Sequence, residues 1–208
     1  VVKNFYFVML FIAVITVSCA VKETNMSKEN NPAAFLPKPI DDEWSRFLVG
    51  EWEGTGESDA GTGEARVRIE FALNGQFLIR KGEALVTEIT PEQKKYLKET
   101  LHATDEEIEK FQSTSFKEIE IFTIDPKTGE TVGYLFDSLR CVAVGRGKRE
   151  GNKEILKWDW SVGGQGTSER ITEKVDDNKL IVTERYTLPG GGKMEDKGYM
   201  TRKIETYK

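Results

Sequence analysis

The sequence predicts a mainly β fold: a ten-stranded antiparallel up-and-down β-barrel with a two-helix insertion and an N-terminal signal segment. Three observations predict it. From Val49 onward, apolar and polar residues alternate with period two in one segment after another. Turn signals built from Gly, Asn, Asp and Pro recur at short spacing and join those segments in order. Gly50, Trp52, Gly54 and Gly56 share one face of the first extended segment, a large ring followed by missing side chains where a curling sheet must bend. A meander of this length closes most economically into a barrel, which removes exposed edges; a two-sheet sandwich is the alternative.

The chain has 208 residues. Residues 1–18 read as a lipoprotein signal peptide. Lys3 is their only charge, and Phe5 to Val17 is apolar but too short for a comfortable membrane span. Thr16-Val17-Ser18-Cys19 then resembles a bacterial lipobox, which makes Cys19 the expected lipidation site; an ordinary secretory signal is the competing reading. Residues 19–40 are polar and Pro-punctuated, a flexible tether with a reach on the order of 25 Å. Residues 41–208 make one domain, with the helical insertion at 90–113. With Cys19 lipidated, Cys141 has no partner, so no disulfide framework is expected. A formal charge of −5 with mixed signs argues against nucleic-acid binding.

Within the domain, Asp41 or Asp42 can cap a short helix through Leu48 that turns Trp44, Phe47 and Leu48 to the barrel base. The next strand places Ala65, Val67, Ile69, Phe71 and Leu73 on one face, and Asn74-Gly75 predicts a two-residue hairpin turn. Thr90-Pro91-Glu92-Gln93 and Thr104-Asp105-Glu106-Glu107 are helix-start signatures for helices over 91–101 and 105–112, whose thin apolar stripe suits a cap over an opening. Strands then resume at about 117, after the turn Asp125-Pro-Lys-Thr-Gly129, at about 139, after Gly151-Asn152, and at about 167, 179 and 193. Val132, Tyr134 and Phe136 share a face, Leu156, Trp158 and Trp160 share another, and Gly163-Gly164-Gln165-Gly166 is a loop.

Gly50-Glu51-Trp52 on the first strand, with Arg202 on the last, resembles the calycin pattern of lipocalins and fatty-acid-binding proteins. That resemblance implies that Trp52 and Arg202 close the barrel base. The run from Phe47 to Glu57, with Asn74-Gly75-Gln76-Phe77-Leu78, resembles bacterial calycin-like proteins of unknown function and also nitrobindin, a ten-stranded haem-binding barrel. Nitrobindin's haem needs a His on a late strand, whereas the one His here is His102, between the two helices. Haem bound in that way is therefore not expected, and no cofactor is predicted.

If Trp158 and Trp160 point inward with Phe71, Tyr134, Phe136 and Tyr186, they line an aromatic cavity suited to a flat or acyl ligand; the alternative is that they simply fill the core. Glu184, among Leu180, Val182 and Tyr186, is either paired inside or placed to meet a ligand, with Arg80, Arg170 and Arg185 as candidate partners. Cys141 reads as a small core residue. Metal-ligand spacing, a nucleophile elbow and a phosphate cradle are all absent from the sequence, so no catalytic or metal residue is assigned. The sequence thus supports a lipid-anchored barrel at the bacterial cell envelope, facing the periplasm or the cell surface, that binds a small apolar molecule. A filled barrel used as an interaction or structural module is the second reading, and an enzyme the third.

Overall fold

The alternation from Val49 onward resolves into strands that close on themselves. The computed structural model describes residues 37–100, 102–162, 166–187 and 192–204. The signal segment, Cys19 and the tether up to residue 36 lie outside the described residues, as does 163–165 of the Gly-rich loop. The ten strands are β1 (Gly50–Ser58), β2 (Gly61–Ala72), β3 (Phe77–Ile89), β4 (Phe116–Ile124), β5 (Thr131–Asp137), β6 (Val142–Glu150), β7 (Lys153–Val162), β8 (Gly166–Asp176), β9 (Lys179–Thr187) and β10 (Lys193–Arg202). Each pairs antiparallel with the next, and β10 returns to β1, so the sheet is a closed barrel and not a sandwich. Three helices accompany them among the described residues: α1 (Glu43–Leu48) before β1, and α2 (Pro91–Glu99) and α3 (Asp105–Ser113) between β3 and β4.

One end of the barrel is plugged. Asp42 caps α1, its carboxylate accepting the Ser45 N–H at 2.8 Å, and Arg149 of β6 donates to the same carboxylate at 2.6 Å. Fixed in this way, α1 drives Trp44 and Phe47 into a cluster with Trp52, Val67, Ile69, Leu78, Leu180 and Met200. Trp52 faces Arg202 in the β1–β10 register, and the Arg202 guanidinium lies 4.3 Å from the Trp52 ring centroid. Trp52 Nε1 donates to the Leu48 carbonyl at 2.9 Å, while Arg202 donates to the Val49 carbonyl at 2.6 Å and to that of Phe47. A ring, a guanidinium and the last turn of α1 thus lock the first strand to the last, and a cation over an indole adds up to about 2 kcal/mol when desolvated. Gly54 is required one step further along: a Cβ there would lie 1.9 Å from the Tyr199 carbonyl oxygen of β10.

Two local expectations change. The loop between β2 and β3 is longer than the two residues that Asn74-Gly75 suggests; Leu73, Asn74 and Gly75 all take positive φ, and the Gly75 carbonyl accepts the Ile40 N–H at 2.7 Å. Docking of the chain before α1 onto this turn sets its shape. Strand β6 begins at Val142, not at 139. The Asp137 carboxylate accepts the N–H groups of Leu139 (2.8 Å) and Cys141 (2.9 Å), which winds 138–141 into a turn and leaves Leu139 exposed.

Candidate ligand-binding site

Above the plug the barrel interior divides into two halves. On the β4–β8 side it is full. Trp158 is 1% exposed and packs with Leu135, Ala143, Leu156 and Phe122. Its ring occupies the space left by two glycines, since a Cβ on either Gly133 or Gly145 would come within 2.8 Å of ring carbons. Trp160 packs against the same cluster and its Nε1 donates to Ser168 Oγ at 3.2 Å. On the other side, among β1, β2, β3, β9 and β10, the inward residues are small or branched: Ala65, Val67, Ile69, Ala84, Val86, Leu180 and Val182. They enclose a cavity of ≈ 400 Å³ whose floor is Trp52 and Met200. Gln93 and Leu97 of α2 and Phe111 of α3 cover its mouth. Thr90 caps α2, accepting the Gln93 N–H, and a Thr104–Glu107 capping box starts α3, so the two cover helices are fixed at their N-termini by the residues that announced them. Ile108 is buried, and Phe111 meets Phe116 of β4 edge to face at 5.2 Å, so α3 is held to the barrel by its apolar side.

A polar layer separates the two halves. Glu120, fully buried on β4, accepts from Arg170 of β8 at 2.6 and 2.8 Å and from Arg80 of β3 at 2.7 Å. Arg80 also donates to Glu118. Arg170 reaches on to Glu184 of β9 at 3.0 Å, and Ser168 Oγ donates to the other Glu184 oxygen at 2.8 Å. The Arg170 guanidinium lies 5.1 Å from the Trp158 ring centroid, so the layer is stacked directly on the filled half. Full burial pushes Glu120 above the ordinary carboxylate range, and Arg170 and Arg80 pull it back only in part. For Glu118 burial is outweighed by Arg80 and Arg170, which hold it below that range. Burial would lower Arg170, but Glu120, Glu184 and Glu118 keep it above the ordinary arginine value and charged. At the upper edge of the cavity Tyr186 lies near Asp196 of β10, and burial together with the Glu184 and Asp196 carboxylates pushes the Tyr186 hydroxyl well above its ordinary value. This arrangement can bind and orient a guest with an apolar body and a polar end.

The residues singled out in the sequence are therefore dispersed. Glu184 and Tyr186 line the cavity. Trp158 and Trp160 do not; they fill the opposite half. Tyr134 and Phe136 are 44% and 45% exposed on the outer face of β5, because Gly133 and Leu135 hold the inner positions of that strand. Phe71 has inward parity but lies beyond the start of β1, where Gly50 stands opposite Ile69, so no strand covers one flank and it is 38% exposed. Of the three candidate partners for Glu184, Arg170 makes the pair. Arg80 serves Glu118 and Glu120, and Arg185 faces outward to Glu169 and Glu195. Sequence reasoning missed Glu118, Glu120 and Asp196. The signal was present for the first two, which alternate with Phe116, Phe122 and Ile124 as acids on an apolar face, the pattern that drew attention to Glu184. Cys141 sits in the turn before β6, and burial and the Asp137 carboxylate raise its thiol pKa, which makes it a poor nucleophile. His102 is exposed between α2 and α3. Among the described residues, no group of three or more His, Cys, Asp and Glu side chains is arranged to hold a metal ion.

No family model matches this chain, and no curated protein matches it. Among solved structures it is similar to the S-type phycobiliprotein lyase CPES from Guillardia theta, with 11% identity over 79% of this chain and 93% of that one and a TM-score of 0.49.

Proposed function

We propose that this protein binds a small, largely apolar molecule in its barrel and does so at a bacterial cell envelope, held by lipid on Cys19. The observation that carries the reading is the apolar cavity of ≈ 400 Å³ under α2 and α3, a volume suited to a compact ligand. Small side chains around a space of that size forgo packing contacts that a filled core would make, so its retention in a barrel with ample aromatic residues favours use. The lipobox supports the anchor, and no cofactor is required for binding of this kind. Extraction and native mass spectrometry of the purified protein test the site: a co-purifying small molecule is expected, and its loss in Val182→Trp, which fills the cavity from one wall, places it. A protein that carries no guest and whose tryptophan fluorescence ignores apolar probes speaks against the reading. Cys19→Ser should move the protein from the membrane to the soluble fraction.

One observation favours the interaction module as a second reading. Ile119, Tyr134, Phe136 and Val144 are exposed together on the outer face of β4, β5 and β6, where Phe136 stands beside Ile119 and Tyr134 beside Val144. Contiguous apolar surface of this kind marks association sites in soluble proteins. Light scattering of wild type against Tyr134→Ser separates a self-associating protein from a monomer.

A further inference from the structure

The polar layer is unbalanced. Two guanidinium groups, Arg80 and Arg170, face four inward carboxylates, Glu118, Glu120, Glu184 and Asp196. The ion pairs account for the first three carboxylates. Asp196 has none among the described residues; burial and Glu184 push its carboxyl above the ordinary range, and only the nearby hydroxyls of Ser58 and Tyr186 act the other way. It also stands directly opposite Glu184 in the β9–β10 register, both turned inward, an arrangement of like charges that is destabilising unless something positive joins it. Asp59, in the turn at the same end, adds to the negative field. Lys197 is the next residue in sequence, but it turns to the outer face, where its ammonium lies 5.2 Å from the Tyr199 ring centroid. The mouth of an otherwise apolar cavity therefore presents one carboxylate with acceptor capacity left over and a second beside it. The guanidinium donors nearest to them are already engaged by glutamates.

We propose that the cavity takes an amphipathic ligand with a protonated amine head, the head set against Asp196 beside Glu184 and the apolar body running down between Val67 and Val182 toward Trp52. The inference rests on the reading of the cavity as a ligand site and names the class of ligand. An acidic amphiphile such as a fatty carboxylate meets the wrong sign there, and a neutral one gains only the hydrogen bond.

Isothermal titration of the purified protein at pH 7 with decylamine, decanol and decanoate tests it, because the three differ only at the head. A charge-assisted hydrogen bond in place of a neutral one should make the amine bind about ten-fold or more tightly than the alcohol, with decanoate weakest. Asp196→Asn should bring the amine to within about three-fold of the alcohol. Equal affinity for amine and alcohol, tighter binding of decanoate, or an amine preference that survives in Asp196→Asn overturns the proposal while leaving the cavity as a site. Failure of all three probes to bind a protein whose circular dichroism is that of a folded β domain overturns the proposal and the cavity reading together. The wild-type comparison of head groups decides the matter even where the variant does not fold.

Discussion

The two halves of this barrel are built from the same alternating strands, yet one is packed solid and the other is open. On the β4–β8 side, glycines at 133 and 145 are paired with a tryptophan at 158, so missing side chains on two strands become room for a large ring on a third. On the β1–β3 and β9–β10 side, Ala65, Val67, Ala84 and Val182 are small, and the ring that β9 contributes, Tyr186, stands at the upper edge and leaves the space above Trp52 open. Small inner residues thus make a cavity only where nothing opposite compensates them. Aromatic richness marks the filled half, not the hollow one.

The largest effect should come from breaking the filled half. Trp158→Ala should cost about 3–5 kcal/mol in chemical denaturation, because the ring's removal opens a void that two glycines cannot close. The dividing layer comes next. Glu120→Gln leaves Arg80 and Arg170 buried without their shared counter-charge, and a loss of about 3 kcal/mol is expected by the same measurement. A comparable change in the exposed pair Arg185–Glu195 should leave the denaturation curve nearly unmoved, because solvent screens the pair.

A smaller effect sharpens the comparison at the plug, where α1 joins both halves by packing Phe47 against Trp52 and by offering Asp42 to Arg149 of β6. Asp42→Ala should cost about 1 kcal/mol at pH 7 through loss of the cap. Burial alone would raise the Asp42 pKa, but the Ser45 N–H and Arg149 lower it overall. A carboxylate with a lowered folded-state pKa stabilises above its unfolded value and loses that contribution as pH falls. The gap between wild type and Asp42→Ala should therefore be full near neutrality and shrink below the ordinary carboxylate range, as acid titration of the melting temperature would show. The smallest effect is expected on the outside: Tyr134→Ser should change stability by about 0.5 kcal/mol or less and leave ligand binding unaltered. A large effect on binding would mean that this ring reaches the interior after all.

Much of the architecture was legible because it depends on local chemistry. Period-two alternation fixes which residues share a face, turn residues fix where strands end, and Thr90 and Thr104 announce their helices by capping them. Facing relative to the core was less legible. The runs Val132-Gly-Tyr-Leu-Phe136 and Glu118-Ile-Glu-Ile-Phe122 carry apolar residues on both faces, and in each the choice fell opposite to hydrophobicity: Tyr134 and Phe136 outward, Glu118 and Glu120 inward. Polarity alone cannot make that choice, because it depends on what the neighbouring strands contribute. Trp158 claims the space inside Gly133, and Arg80 and Arg170 arrive from β3 and β8 to meet the glutamates.

The residues along the chain were enough to read a ten-stranded meander and its two-helix insertion. These follow from alternation, turn propensity and capping, which act over a few residues, together with the need of a long sheet to remove its edges. The half-hollow interior, the ion layer that divides it and the lack of a cation for Asp196 among the described residues emerge only once the strands are assembled. Volume and charge balance are sums over strands far apart in the chain, and no single stretch of residues carries either sum.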